Sequence, residues 1–192
     1  MKKRLYVAYG SNLNISQMQN RCPTAKLYGS GVIEDYELQF KGRQNNAFAT
    51  IAPKKGSVVP VMVWDIGTMD EKRLDCYEGY PTHYFKQDVT VKLENESLTA
   101  MVYIMNLKMR FGLPSSGYYK VVWDGYKDCG LDTAFLEHAL LESTKNYYAA
   151  AIMHHHSVMY AGLEEHNYGK ANSGIVPSLH GEDNIKSRVM CL

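Results

Sequence analysis

The stretch Tyr6-Val7-Ala8-Tyr9-Gly10-Ser11-Asn12 sets a buried strand directly against a turn and the start of a helix. From Arg4 to Ala8 the residues are apolar on both faces apart from the arginine, the pattern of a central strand. Gly10, Ser11 and Asn12 end it. Asn14 then offers a side-chain cap for a short helix, with Gln17 three residues on in an Asn variant of the capping box, and Pro23 stops that helix. A strand that passes through a Gly-Ser turn into a helix N-terminus aims several backbone N–H groups at one point. Such a nest suits an anion, and the helix dipole adds to it. Gly10 lets the chain approach a ligand closely, while the Ser11 hydroxyl and the Asn12 amide add donors. A small carboxylate or an oxyanion would fit there; a plain strand-to-helix turn would carry the same residues.

Outward from this stretch, Lys26 to Phe40 reads as extended segments broken at Gly29-Ser30-Gly31. Phe48–Ala52 and Val58–Ile66 read as two strands with a turn at Lys54-Lys55-Gly56-Ser57, and Pro60 marks an edge or a bulge. Thr68 and Glu71 form a capping box for a helix over Met69–Glu78, which Gly79 stops. Phe85 to Leu93 alternates apolar and polar and returns through Glu94-Asn95-Glu96-Ser97 into Leu98–Met105, which is a hairpin. Ser115 or Ser116 caps a helix with Tyr118, Val121, Val122 and Tyr126 on one stripe. Asp132 caps another, with Leu136, Ala139, Leu140 and Tyr147 inward. Beyond about Ala150 the periodicity fades and the chain reads as an irregular extension. Many short strands with few helices predict an α+β fold, a small mixed sheet curled toward a barrel with flanking helices.

The whole chain, 192 residues with 45% hydrophobic and 21% charged, has the size of one domain or one domain with an extension. A formal net charge of +1 excludes the concentrated basic face that nucleic acid requires. The basic Met1-Lys2-Lys3-Arg4 start is followed by a segment too short and too polar for a signal-peptide core, and no apolar run reaches the length of a membrane span. The cytoplasm is the expected compartment. Cys22, Cys76, Cys129 and Cys191 form no Cys-x-x-Cys pair, so reduced thiols and no zinc module are expected. His154, His155 and His156 are adjacent and point in different directions, which suits a surface or interface better than one ion; no metal site is expected, and an oligomer stays open. The 15 tyrosines allow a pocket that is apolar in body and polar in its tips.

Two further stretches carry possible chemistry. In Leu74-Asp75-Cys76-Tyr77-Glu78-Gly79-Tyr80, the Glu78 carboxylate lies at the negative end of a helix among aromatic neighbours. Both conditions disfavour its charge and raise its pKa toward that of a general base; on a solvent-facing side the same residue would be an ordinary surface acid. Pro114-Ser115-Ser116-Gly117-Tyr118-Tyr119 places a tyrosine near a helix N-terminus, where a core position is the alternative.

In order and spacing, the three stretches resemble the gamma-glutamylcyclotransferase-like family over roughly residues 4–145. That family carries a Tyr-Gly-Ser-Asn loop after its first strand (here Tyr9-Gly10-Ser11-Asn12) and a Leu-Asp-x-x-Glu-Gly helix end (here Leu74 to Gly79). Its gamma-glutamyl cyclotransferases add a Pro-Ser-x-x-Tyr element, matched by Pro114, Ser115 and Tyr118. The resemblance implies the family's barrel fold, a catalytic domain over residues 1–148 and an extension of unknown role over residues 149–192. It implies a small-molecule gamma-glutamyl amide as substrate, which closes on itself to 5-oxoproline and releases an amine, without metal or organic cofactor. Glu78 would be the acid/base. Tyr6, Val7, Ala8, Tyr9, Gly10, Ser11 and Asn12 would hold the substrate, and Tyr118, or its neighbour Tyr119, would orient it. A non-catalytic binding module on the same fold, and a cyclotransferase for a gamma-glutamyl-protected biosynthetic intermediate, are the competing readings.

Overall fold

Strands β1 (Lys3–Ala8), β2 (Lys26–Arg43), β3 (Asn46–Gly67), β4 (Tyr84–Lys92) and β5 (Ser97–Met105) close into a barrel in the order β1-β3-β2-β4-β5. This is the small mixed sheet that the strand pattern predicts. The computed structural model describes residues 3–168, with side chains described from Arg4 to His154. Contacts between residues divide the chain after Tyr147, and the barrel belongs to the first unit, Met1–Tyr147.

β1 is central. It runs antiparallel to β3, with Tyr6 opposite Trp64, and parallel to β5, with Tyr6 opposite Met101. Tyr6, Val7 and Ala8 are each at most 3% exposed, which is why this strand is apolar on both faces.

The hairpin of β2 and β3 is longer than its local signals suggest. Gly29-Ser30-Gly31 does not break β2; it is where β4 crosses closely. A Cβ on Gly31 would stand 2.5 Å from the Lys92 carbonyl oxygen, so a side chain there would push the strands apart. Lys54 to Ser57 is likewise inside β3 rather than a turn between two strands. Gly56 has φ +80° and donates its N–H to the Asp35 carboxylate at 2.7 Å, while Asp35 itself has φ +59°. Two irregularities thus face each other across the ladder, and pairing resumes beyond them. Pro60 sits opposite Val32, two residues short of where β1 begins to pair with β3 at Met62. The missing N–H therefore falls where that edge of β3 has no β1 partner.

Helix α1 (Ile15–Arg21) follows a single 3-10 turn at Ser11–Leu13. Asn14 caps it as expected, its side chain accepting from the Gln17 N–H at 3.0 Å; the Gln17 side chain instead takes a hydrogen bond from Arg21. Helix α2 (Thr68–Glu78) is capped differently from expectation. Gly67 is the N-cap, and the buried Asp70 carboxylate accepts from the Gly67 N–H and the Thr24 hydroxyl. Glu71, the residue assigned to the capping box, is drawn away into ion pairs with Arg4 and Lys86. Gly79 ends α2 in the left-handed region, as predicted.

Helix α3 (Ser116–Asp128) is capped by Ser115, which accepts from the Tyr118 N–H at 3.2 Å. It buries Val122, Gly125 and Tyr126. Helix α4 (Ala134–Tyr168) starts at Asp132, whose carboxylate accepts from the Ala134 N–H, and buries Leu136, Ala139 and Ser143. The Ser143 hydroxyl accepts from the Phe40 N–H of β2 at 2.8 Å. The helix does not fade at Ala150. Ala149-Ala150-Ala151, all exposed, keep it going through propensity. Residues 169–192, including His180 and Ile175, lie outside the described residues. No helix of the described residues is long and apolar enough to cross a membrane. Cys22 and Cys129 are free thiols.

Candidate active site

An open cavity lies where β1 runs into the 3-10 turn and α2 ends. The opening stretch contributes Tyr6, Tyr9, Gly10, Ser11 and Asn12 to its lining; α2 contributes Glu78 and α3 contributes Tyr118. All three sequence stretches therefore meet at one place. Val7 and Ala8 do not line it. Strand alternation turns Val7 to the opposite face from Tyr6, and the Ala8 methyl stays packed in the barrel core. Ala49 of β3, Tyr84 of β4 and Tyr103 of β5 complete the lining. Sequence reading missed these three, although the excess of tyrosine hinted at such a wall.

Among the described residues Glu78 is the only carboxylate in the lining. Its Oε1 accepts a 2.9 Å hydrogen bond from the Asn12 side-chain amide. Burial raises its pKa to about 7, against the pull of the Arg21 guanidinium and the Asn12 hydrogen bond. The C-terminal end of α2 works in the same direction as burial. Asp75, one turn earlier, is placed elsewhere. Its carboxylate pairs with Lys86 at 2.7 Å and accepts the Tyr103 hydroxyl at 2.6 Å, so it braces the cavity wall from behind.

The five cavity tyrosines stay protonated, because burial raises the pKa of each and all five also feel the Glu78 charge. Three donate their protons within the protein: Tyr9 to the Tyr103 carbonyl at 2.6 Å, Tyr84 to the Ala49 carbonyl at 2.9 Å, and Tyr103 to Asp75. The other two hydroxyls act as acceptors, Tyr6 from Asn12 at 2.7 Å and Tyr118 from the Ala49 N–H at 3.1 Å. Among the described residues neither finds an acceptor for its own proton, so both are available as donors to a ligand. Of the adjacent pair, Tyr118 lines the cavity, its ring edge-on to Phe48; Tyr119 turns away to pack near Phe40 and Trp123.

The Asn12 amide is saturated. Its two N–H groups go to Tyr6 and Glu78, and its carbonyl oxygen accepts from Arg21 at 2.6 Å. The main chain of the loop is more open: no acceptor is found among the described residues for the N–H groups of Gly10, Ser11 and Asn12. No group of three or more His, Cys, Asp or Glu that could hold a metal ion occurs among the described residues.

The arrangement is thus one carboxylate poised near neutrality, an edge of free backbone donors and two free phenols, in a site walled by aromatic rings. The family described as gamma-glutamyl cyclotransferase, AIG2-like, matches residues 6–123. The gamma-glutamylcyclotransferase of Bos taurus is 32% identical over 136 residues, covering 66% of this chain and 72% of its own length. That of Homo sapiens is 30% identical over 142 residues, covering 69% and 75%. A solved structure of a gamma-glutamyl cyclotransferase matches with a TM-score of 0.66 and 27% identity, over 72% of this chain and 86% of that one. The chain belongs to the AIG2-like gamma-glutamyl cyclotransferase family.

Proposed function

We propose that this protein is a gamma-glutamyl cyclotransferase that converts a gamma-glutamyl amide to 5-oxoproline and a free amine. The observation that carries this reading is Glu78, a lone cavity carboxylate whose pKa is raised to about 7 by burial. The substrate's α-ammonium gives a proton to Glu78. The freed amine attacks the γ-carbonyl carbon, the ring closes, and negative charge develops on the carbonyl oxygen. The ring nitrogen sheds its second extra proton, the carbonyl re-forms, and the bond to the departing nitrogen breaks as Glu78 returns its proton there; the amine takes up the shed proton and leaves as an ammonium. One carboxylate near neutrality serves both transfers.

Because the nucleophile is tethered, the protein's main task is to hold a folded conformer; well-oriented intramolecular reactions reach effective molarities of about 10⁵–10⁸ M. The open N–H groups of Gly10, Ser11 and Asn12 suit the substrate's carboxylate or the developing oxyanion, and the Tyr118 and Tyr6 hydroxyls suit its other oxygens. The chemistry requires proton transfer alone and calls on no metal or organic cofactor.

The test is release of 5-oxoproline from a panel of gamma-glutamyl amino acids, gamma-glutamyl amines and larger gamma-glutamylated amides. Turnover of at least one member, with an acid limb near pH 7, is the expected result. No 5-oxoproline from any member overturns the reading.

The catalytic domain is proposed to comprise residues 1–148, with residues 149–192 an appendage. Support comes from the position, among the described residues, of every strand and every cavity-lining residue before that boundary. A chain ending at Tyr148 is expected to give a cooperative thermal melt and to retain turnover. A molten or insoluble product would move the boundary into the extension.

A further inference from the structure

Arg21, the last residue of α1, is a half-buried guanidinium with unusual company. It donates to the Asn12 carbonyl oxygen at 2.6 Å, to Ser11 Oγ at 3.3 Å, to Tyr77 Oη at 2.7 Å and to Gln17. Its Cζ lies 3.8 Å from the centre of the Tyr77 ring. Every one of these partners is neutral, and no carboxylate lies within ion-pair distance among the described residues. A cation taken partly out of water without a counter-charge is costly unless something else uses its field.

The Asn12 amide shows what uses it. A side-chain amide can flip end for end, exchanging donor and acceptor. Here a guanidinium sits on one end, so that end must be the oxygen, and the NH₂ group must face Tyr6 and Glu78. A flipped amide would set two donors against each other at Arg21 and an oxygen against the Glu78 carboxylate.

We propose that Arg21 is a positioning residue for Glu78, acting through the Asn12 amide, which it locks with its NH₂ group toward the carboxylate. This rests on the role given to Glu78 above. The fixed amide holds Oε1 and leaves Oε2 for the substrate ammonium. The same cation, though out of contact with Glu78, also stabilises the ionised carboxylate at a distance. The other titratable groups acting on Glu78 are tyrosines: Tyr6 of β1, Tyr9 beyond it, Tyr84 of β4, Tyr103 of β5 and Tyr118 of α3, all neutral. Tyr77, next to Glu78 on α2, is drawn to Arg21. Arg21 is therefore the one cation among the described residues that acts on this acid.

The experiment is the pH dependence of kcat/KM for Arg21→Met and Arg21→Lys, with thermal melts as fold controls. In Arg21→Met the acid limb should move up by about one pH unit, because the ionised base has lost its cation. The plateau should fall by about tenfold or more, because the amide is free to flip and the base is no longer aligned. Arg21→Lys should return the limb toward its wild-type position while leaving the plateau low, since lysine restores the charge without the planar fork. An unmoved acid limb in folded Arg21→Met overturns the proposal, whatever the plateau, because a merely structural arginine would lower the rate without shifting the limb. If Arg21→Met does not fold, Arg21→Gln is the neutral variant to read.

Titration of Glu78 by carboxyl-carbon NMR, assigned with Glu78→Gln, reads the same shift without turnover. A shifted titration in an enzyme that releases no 5-oxoproline would support the relay and reject the substrate class. An unshifted titration in an active enzyme would do the reverse.

Discussion

Glu78→Gln should lose turnover by about 10²–10⁴-fold, the usual contribution of a general acid–base group, while keeping its fold. Glutamine has nearly the outline of glutamate, and its carbonyl oxygen can still accept from the Asn12 amide, so the network at the end of α2 survives. What it cannot do is take the ammonium proton. Asp75→Asn is the contrasting variant. Asp75 holds Lys86 and Tyr103 and does not line the cavity, so its loss should cost much less. A folded Glu78→Gln protein with near-normal 5-oxoproline release would sink the mechanism, and a dead Asp75→Asn beside it would transfer the role.

The same substitution should stabilise the protein in a defined pH window. Burial raises the Glu78 pKa from 4.5 to about 7 on folding. Below the lower value the carboxyl is protonated in both states and contributes nothing. As pH rises, the unfolded chain ionises first, and native stability declines until Glu78 ionises too; above pH 7 the cost is constant, about 3–4 kcal/mol at ~1.4 kcal/mol per pKa unit. Glu78→Gln should melt higher than the wild type at pH 8 and alike at pH 4. Equal melting temperatures at pH 8 would mean that the native carboxyl is not desolvated.

Gly125→Ala should both destabilise the fold and lower activity. A Cβ on this α3 residue would fall 2.6 Å from the Asn14 nitrogen and 2.8 Å from the Leu13 carbonyl carbon. These are main-chain atoms of the turn that leads from Ser11–Asn12 into α1, and they have no rotamer to swing away. Alanine would otherwise favour a helix by about 1 kcal/mol over glycine, but forced overpacking costs about 1–3 kcal/mol or more, so the net effect is a lower melting temperature. Two walls of the cavity move apart together, since α3 carries Tyr118 and the turn carries Asn12. A displacement of about 1 Å can cost about 10²-fold in rate. Gly117→Ala is the control, on the same helix with nothing within 4 Å of its added methyl, and should melt at or slightly above the wild type. A Gly125→Ala protein that melts and turns over like the wild type would mean that α3 does not press on this turn.

What could be read from sequence depended on how local the cause was. The burial of Tyr6 to Ala8 shows in their own consecutive apolar residues, and Ser115 caps α3 through a bond to a residue three positions on; both signals lie within a short window of sequence. Gly31 and Gly56 looked like breaks, because glycine ordinarily punctuates. Their reasons are the Lys92 carbonyl and the Asp35 carboxylate, one on a distant strand and one across the hairpin, and neither shows in a window of residues. The cap of α2 was misassigned for the same reason: Glu71 is claimed by Arg4 and Lys86, which reach it only once the barrel exists. At the site, Glu78 and the Gly10 to Asn12 turn were legible because each sits at the end of its own element. Tyr84 and Tyr103 enter the cavity only through closure of the sheet, and Arg21 only through an amide whose orientation is a tertiary property.

The parallel seam between β1 and β5 has a consequence during synthesis. β1 leaves the ribosome first, yet its ladder partners are Met62 to Gly67 and Met101 to Val102. A nascent chain that has not yet extruded residues through about 105 must carry an apolar strand with at least one unpaired edge, the condition that recruits chaperones or seeds aggregation. The turn that begins the site hangs from that waiting strand. Ribosome-bound chains should therefore gain protease resistance at residues 3–8 only after β5 has emerged, and with it the site's first wall.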